Sequence, residues 1–355
     1  MSVQVQFLEA RLAVISVPLE HYSHVFHGIA RLALGTWKAI RTGDSEHTRD
    51  RDNFRHDYCD FEEDLSDYFH NISITPTECS IICREDLIQP VFGDEYLSSL
   101  KNVAVLPRRY MAIKVDAAGV SSGNERILTL SSSLSAAGIP IFFMSTYFSD
   151  YLLVPTDVKE KVRDLLEKNN FVFSSLENSY IALQNRSDSS STSSLILNDD
   201  EDARLEGPTA DNKPLETYHL KPAFDQTELL ITGPRSQSDL DLIEFAVLRI
   251  LARRPCYFSI TTYADEIALV LEKEDASLFP PDSLMGSQDE LYIPVTLDLR
   301  QVPVDVVGVV AEVAAKLEGC KIPMSFLSTA MTSTVFITRE NAEHAKRVCG
   351  TDFQY

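Results

Sequence analysis

Apolar and polar positions in this chain alternate between strand-length runs and amphipathic stretches, in one recurring order. Ala104–Asp116 is a strand-like run. Within Ser121–Gly138, Ile127, Leu130, Leu134 and Ala137 are spaced three, four and three apart, which puts them on one helical face. Gly138 suits the position just past a helix end. Ile139–Ser145 and Asp150–Pro155 read as the two strands of a hairpin. Thr156–Asn169 reads as an amphipathic helix opened by a Thr cap, and Asn170–Ser174 as a closing strand. Strand, helix, strand, strand, helix, strand is the ferredoxin-like split βαβ order.

The hairpin is written more than once. Ile139–Pro155 reads IPIFFMSTYFSDYLLVP and Ile322–Thr338 reads IPMSFLSTAMTSTVFIT. Ser259–Val270 and Asn71–Ile82 are weaker copies, so that residues 73, 145, 261 and 328 are equivalent, at separations of 72, 116 and 67. The long interval contains a Ser-rich acidic stretch, and removing it restores the common spacing. The expected fold is α+β, four tandem ferredoxin-like modules: 1–95 with a charged insertion at 41–67, 96–183, a linker at 184–217, 218–287, and 288–355. In the first module Gln6–Val17 is the expected strand and His21–Leu34 the helix. In the third, Asp239–Arg254 is a helix with Leu242, Phe245, Leu248 and Leu251 inward, and Pro280-Pro281 cuts short the second helix. In the fourth, Val304–Gly319 is a helix with Val309, Val313 and Leu317 inward. A small sheet with both helices on one face leaves its other face or edge bare. The copies are therefore expected to pair within the chain, sheet to sheet or side by side, and to form clefts at their seams.

Composition narrows the function classes. With 32 basic and 53 acidic residues the net charge is −21, which argues against nucleic acid and anionic membranes as partners. Arg41–Asp67 carries −6 of it and Gln184–Thr217 carries −5. No apolar run reaches membrane-spanning length, the first residues lack signal-peptide character, and the six Cys are scattered. The expected location is the cytosol.

Candidate chemistry is sparse. His21, His24 and His27 step around a helix without a neighbouring carboxylate or Cys, and read as a solvated face. Cys79 and Cys83, with Cys59 and His70 upstream, have a spacing that a strand could turn to one side, but Cys83 sits in an apolar run. No nucleotide-binding, hydrolase or metalloprotease motif is present, so neither catalysis nor a metal or cofactor is expected. Ser145-Thr146-Tyr147 exposes hydroxyls at a strand end. Two readings stay open for it: a site for a zwitterionic ligand, and a well hydrogen-bonded turn.

Tandem βαββαβ units carrying an S-T-[YF]-x-x-D hairpin resemble ACT domains, which are amino-acid-sensing regulatory modules. Four copies with a long linker after the second resemble the CASTOR family, cytosolic arginine sensors that bind the GATOR complex upstream of the TOR kinase. Ser145–Val154 carries the resemblance most specifically; Phe7–Val17, Phe279–Leu291 and Ile322–Thr329 support it, and the insertion at 41–67 departs from it. The resemblance implies a ligand between the second and fourth modules, touching Thr129, Leu130, the loop Pro303–Gly308 with Asp305, Val306 and Gly308, and the hairpin residues Thr329 and Ser333. In that loop the family has a glycine and a glutamate where Pro303 and Val306 stand, and in the hairpin a Phe and an Asp where Ala330 and Ser333 stand. Both carboxylates that would face a guanidinium are missing, and an unpaired buried guanidinium costs several kcal/mol. Two readings therefore stay open: the implied ligand is a free amino acid or similar small metabolite other than arginine, with a smaller or apolar side chain, or the site is vestigial. The implied partner surface is Tyr147, Phe148 and Asp150, facing a signalling complex of the GATOR type; for Phe148, packing in the seam between modules is the equal alternative. A homodimer is an open assembly state. A ligand-free interaction protein and a regulatory subunit of amino-acid metabolism are the alternatives.

Overall fold

Tyr151 and Leu152 are neighbours on one strand and both are buried, which requires a layer packed on each face of it. The computed structural model describes residues 3–42, 69–116, 123–173, 213–236, 240–264 and 266–349. Most of the expected insertion and linker lie outside the described residues. Four units follow one another. The first comprises β1 (Val3–Phe7), β2 (Leu12–Pro18), α1 (Tyr22–Thr42), β3 (His70–Ile74), β4 (Glu78–Arg84) and β5 (Ala104–Val105). The second comprises β6 (Tyr110–Asp116), α2 (Gly123–Ala136), β7 (Phe142–Ser145), β8 (Ser149–Pro155), α3 (Lys159–Lys168) and β9 (Phe171–Phe173). The third comprises β10 (Ala223–Phe224), β11 (Leu229–Thr232), α4 (Leu240–Arg253), β12 (Phe258–Tyr263) and β13 (Glu266–Glu272). The fourth comprises β14 (Tyr292–Asp298), α5 (Val309–Glu318), β15 (Met324–Ser328), β16 (Thr332–Thr338) and α6 (Ala342–Cys349).

Units pair edge to edge across their hairpins. β3 lies antiparallel to β12 and β7 antiparallel to β15, with Ile72 facing Ile260 and Met144 facing Leu327. These are the same position of the repeat, one residue before Ser73, Thr261, Ser145 and Ser328. Each pair of units is therefore related by an approximate two-fold axis through those residues. Helices α1 and α4 cover one paired sheet and α2 and α5 the other. The two bare faces meet, and single contacts between β2 and β6 and between β11 and β14 join the sheets into a closed ring of twelve strands. Closure removes the unpaired edges that isolated units would present.

Three cores follow from this layering. Ile15, Ile29, Ile243 and Ile260 pack under the helices of units one and three. Ile113, Leu130, Val313 and Phe326 do so for units two and four. Leu12, Tyr110, Tyr151 and Phe336 fill the lumen. Along β8, Leu152 and Val154 point to the helices while Tyr151 and Leu153 point inward. Such strands read as continuous apolar runs because both faces are dry.

Four expectations change. The run Gln6–Val17 is two strands, because β1 leaves its own unit and inserts between β6 and β9 of the second. The run Ala104–Asp116 is also two, broken at Pro107, with β5 pairing β2 as the last strand of unit one. On α4 the buried face is Leu240, Ile243, Val247, Ile250 and Leu251, whereas Leu242 and Phe245 are 57% and 61% exposed. The steps of three that singled out Leu242 and Phe245 drift around the helix, and the face that packs near α1 is the one spaced three and four. α5 begins at Val309 rather than Val304, because Val306 N–H closes a turn onto Pro303 and Gly308 adopts a left-handed φ of 97° that only glycine takes freely. Cys79 and Cys83 lie in the packed core of units one and three; burial pushes both thiols up, Cys83 to about 12. Among the described residues no helix is long and apolar enough to cross a membrane.

Candidate functional site

The repeat register relates unit two to unit four by a constant offset of 183 residues: Ile139 to Ile322, Ser145 to Ser328, Asp150 to Ser333. The same offset carries Leu130 and Leu134 to Val313 and Leu317, all buried in one core. The two-fold axis therefore generates two equivalent seams between these units. They differ in what closes them.

In one seam Asn124 Nδ2 donates to Ile322 O at 2.7 Å, and its Oδ1 accepts from Met324 N–H at 3.1 Å. Beside it, Arg126 Nε and Nη2 donate to Asp150 Oδ2 at 2.8 and 2.6 Å. Both side chains are buried, at 9% and 6% exposure. Burial pushes the Asp150 carboxyl up, opposed by the Arg126 guanidinium and by the Ser145 hydroxyl. Ser145 Oγ also accepts from Phe326 N–H across the seam.

In the other seam Val307, Val309 and Ser333 occupy the positions of Asn124, Arg126 and Asp150. A cleft of about 630 Å³, its open mouth included, lies there between α2 of unit two and the loop and hairpin of unit four. Its walls include Ser131, Ile139, Val302, Val309, Ser328 and Ala330, and among the described residues no lining side chain is charged. Ser328 and Ser333 are 5% and 2% exposed, and among the described residues neither hydroxyl has a hydrogen-bond partner. Buried hydroxyls are normally paired, so two orphans on one cleft wall are unmet demand. Val309, Val310 and Ala311 also border the cleft. They form the first turn of α5, where backbone amides have no intrahelical acceptor and a carboxylate is favoured.

The hairpin beneath the cleft is held from a third unit. Glu78, at the start of β4, is 1% exposed. Its Oε1 accepts from Thr329 Oγ1 at 2.7 Å and from Met331 N–H at 2.6 Å, and its Oε2 accepts from Ser16 Oγ. Burial pushes this carboxyl up, against those three hydrogen bonds. The symmetry-related Glu266 reaches unit two, accepting from Lys114 Nζ at 2.6 Å and Tyr151 O–H at 2.9 Å. The seam of units one and three carries hydrogen bonds of its own: Asn71 Nδ2 donates to Ser259 Oγ at 3.0 Å and to Thr261 Oγ1 at 2.9 Å.

Of the ligand residues expected from the sequence, Val306, Gly308, Thr329 and Ser333 line this cleft. Leu130 is buried in the core of units two and four, Thr129 is half-buried on α2, and Asp305 is exposed on the loop before α5. None of these three lines the cleft. Ser328 reads in the sequence as a repeat position and Val309 as a helix position, not as site residues, and the bracing Glu78 carries no reading, although aligning the hairpins places Glu78, Asp150, Glu266 and Ser333 at one position. The expected partner patch divides. Asp150 faces Arg126 in the interior, not solvent. Phe148 is half-buried with its ring edge-on to Tyr147, and Tyr147 is 41% exposed. A Cβ added at Gly233 would lie 2.7 Å from Phe148 Cε2 and 2.7 Å from Ile267 O. Gly233→Ala is expected to lift Phe148 out of this notch and to cost about 1–3 kcal/mol in chemical denaturation, with a change in Tyr and Phe near-ultraviolet signals.

Residues 105–168 and 287–348 each match the family model of the ACT domain. These two segments are similar to ACT domains. They coincide with units two and four, whose seam holds the cleft. No curated protein sequence matches the chain. Among solved structures, protein Atu0741 from Agrobacterium tumefaciens is 21% identical, covering 49% of this chain and 93% of its own, with a TM-score of 0.29. Aspartate kinase from Synechocystis is 11% identical, covering 100% of this chain and 57% of its own, with a TM-score of 0.34. Protein VC0802 from Vibrio cholerae, of unknown function, is 22% identical, covering 37% of this chain and 87% of its own, with a TM-score of 0.27.

Proposed function

We propose that this protein is a non-enzymatic regulatory sensor that binds a small metabolite in the cleft between its two ACT domains. ACT domains imply a regulatory role through small-molecule binding, of amino acids above all. The observation that carries the reading is the pair of buried, unpartnered hydroxyls, Ser328 and Ser333, on the cleft wall. With the first turn of α5 beside them and no charged lining side chain, the cleft suits a carboxylate joined to an uncharged, largely apolar remainder. A free amino acid with an aliphatic side chain fits that description, and arginine does not. Units one and three are read as shortened copies of the same module, and the whole as a divergent relative of the CASTOR family.

Signalling requires the ligand to bind one arrangement of units better than another. The hairpin Ser328–Ser333 is shared by the cleft and by the Glu78 brace, so a ligand on Ser333 acts on the contact between the two halves of the ring. A protein partner of the GATOR type would read the change on an exposed surface, with Tyr147 as its retained contact. The alternative of a ligand-free interaction protein is favoured by Leu242 and Phe245, two apolar side chains standing exposed on α4.

A melting-temperature panel of the twenty amino acids on the purified chain tests the reading. A ligand at a hundred times its Kd should stabilise the protein by about 2.7 kcal/mol. Leucine, valine or methionine should raise the midpoint, and Ser333→Ala should weaken the response without lowering the apo midpoint. Silence across the panel favours the interaction protein; a response to arginine alone contradicts the assignment of ligand class.

A further inference from the structure

We propose that the second seam between the ACT domains is also a binding site, built for a guanidinium and held permanently filled by the chain's own Arg126. Three observations carry this. The two seams are related by the axis through Met144 and Leu327, so Ser328 and Ser333 on the wall of the open cleft have counterparts here in Ser145 and Asp150. At the position of the orphaned Ser333 this seam has Asp150, and Arg126 Nε and Nη2 both donate to Asp150 Oδ2. The Ser145 hydroxyl, equivalent to the orphaned Ser328, is here engaged with Phe326 N–H and with Asp150. The two hydroxyl positions that stand unmet in the open cleft thus have partners in the counterpart, and those partners come from the chain itself.

The chemistry of the filled seam is that of an alkylguanidinium site: a buried carboxylate with a neighbouring hydroxyl. A tethered guanidinium competes with free ligand at an effective concentration of order mM or above, so free metabolite below that level does not displace it. Arg126 thus limits the protein to one exchangeable ligand per chain. Asn124 completes the closure by bridging Ile322 O and Met324 N–H, where the open cleft has Val307.

The proposal goes beyond the sensor reading and is tested without knowing that reading's ligand. Arg126→Ala removes the internal guanidinium and leaves Asp150 beneath a vacated channel. Methylguanidinium chloride at low millimolar concentration, with sodium chloride as the ionic-strength control, should raise the melting temperature of R126A by several degrees, saturating at one molecule per chain in calorimetry. It should leave the wild type and R126A/D150S unmoved. Should R126A not fold unaided, restored refolding yield with methylguanidinium and not with methylammonium supports the site. Equal responses of R126A and R126A/D150S, or none from either, overturn it. A silent amino-acid panel on the wild type would remove the sensor reading and leave this result standing.

Discussion

Asp150→Ala will lower the unfolding free energy by about 3–5 kcal/mol, among the largest losses available from a single polar substitution in this chain. The cost comes from what is left behind. Arg126 cannot shed its charge, its side chain is 9% exposed, and Asp150 Oδ2 accepts from both of its donating nitrogens. Without the carboxylate, the guanidinium stays desolvated and unpaired, or drags the first turn of α2 outward. The double variant Arg126→Val/Asp150→Ser copies the Val309/Ser333 pair that the fourth unit tolerates at the same positions. It should therefore cost less than Asp150→Ala alone, although it breaks the same ion pair. Urea denaturation of both proteins gives the comparison, with an unchanged m-value as the check that the denatured state has not shifted. Losses that simply add, or an Asp150→Ala variant within about 1 kcal/mol of wild type, would mean that the pair is solvated and that the seam is not closed as described.

The local order of elements was legible from periodicity. The hairpin beginning at Ile139 and its copy at Ile322 fold as read, as do the helix faces of Leu130 and Val313, because one buried side of a short unit dictates them. What escaped was long-range. Gln6 and Phe7 look like the start of a strand that continues to Val17, and only the presence of β6, about a hundred residues on, draws them away. Leu242 and Phe245 resemble a core stripe because helical steps of three and of four both land on apolar residues in α4. Ring closure had no local signal at all, since it rests on two one-residue junctions, Leu12 with Tyr110 and Leu229 with Tyr292.

The site was legible in part for a related reason. A hydroxyl-bearing turn at a strand end, with its equivalents in other copies, pointed to the hairpin of unit four. The acid at the fifth position after each reference residue was equally visible, as Glu78, Asp150 and Glu266. Its meaning was not, because each carboxylate finds a different partner: the unit-four hairpin for Glu78, Arg126 for Asp150, and Lys114 with Tyr151 for Glu266. Register locates such a position, whereas its chemistry depends on the neighbour that the ring brings to it. In the fourth unit, where Ser333 replaces the acid, the seam holds the open cleft.

Glu78→Gln should change how stability depends on pH, and Glu78→Ala should lower stability at every pH. Removing the side chain strands the Met331 N–H in the interior, which alone costs roughly 1–3 kcal/mol, and adds the unmet hydroxyls of Ser16 and Thr329. Gln keeps an acceptor for Thr329 and Met331 and turns its amide toward the rotatable Ser16 hydroxyl. Burial holds the Glu78 carboxyl above its ordinary value of 4.5, so the folded chain keeps a proton that the unfolded chain has released. The stability tied to this group is complete below 4.5 and is lost as pH rises through the folded-state value. The Gln variant does not titrate there, so its midpoint should gain on the wild type as pH rises from 4.5 towards neutrality. His70 works in the opposite direction: burial lowers its imidazole to about 3, so stability falls as pH drops from 6.5 towards that value. Both proteins carry His70, and subtracting their melting curves at each pH cancels it. A difference that stays flat across pH 4 to 8 would mean that Glu78 titrates as it does in the unfolded chain, and that the brace under the cleft hairpin is not the dry contact described.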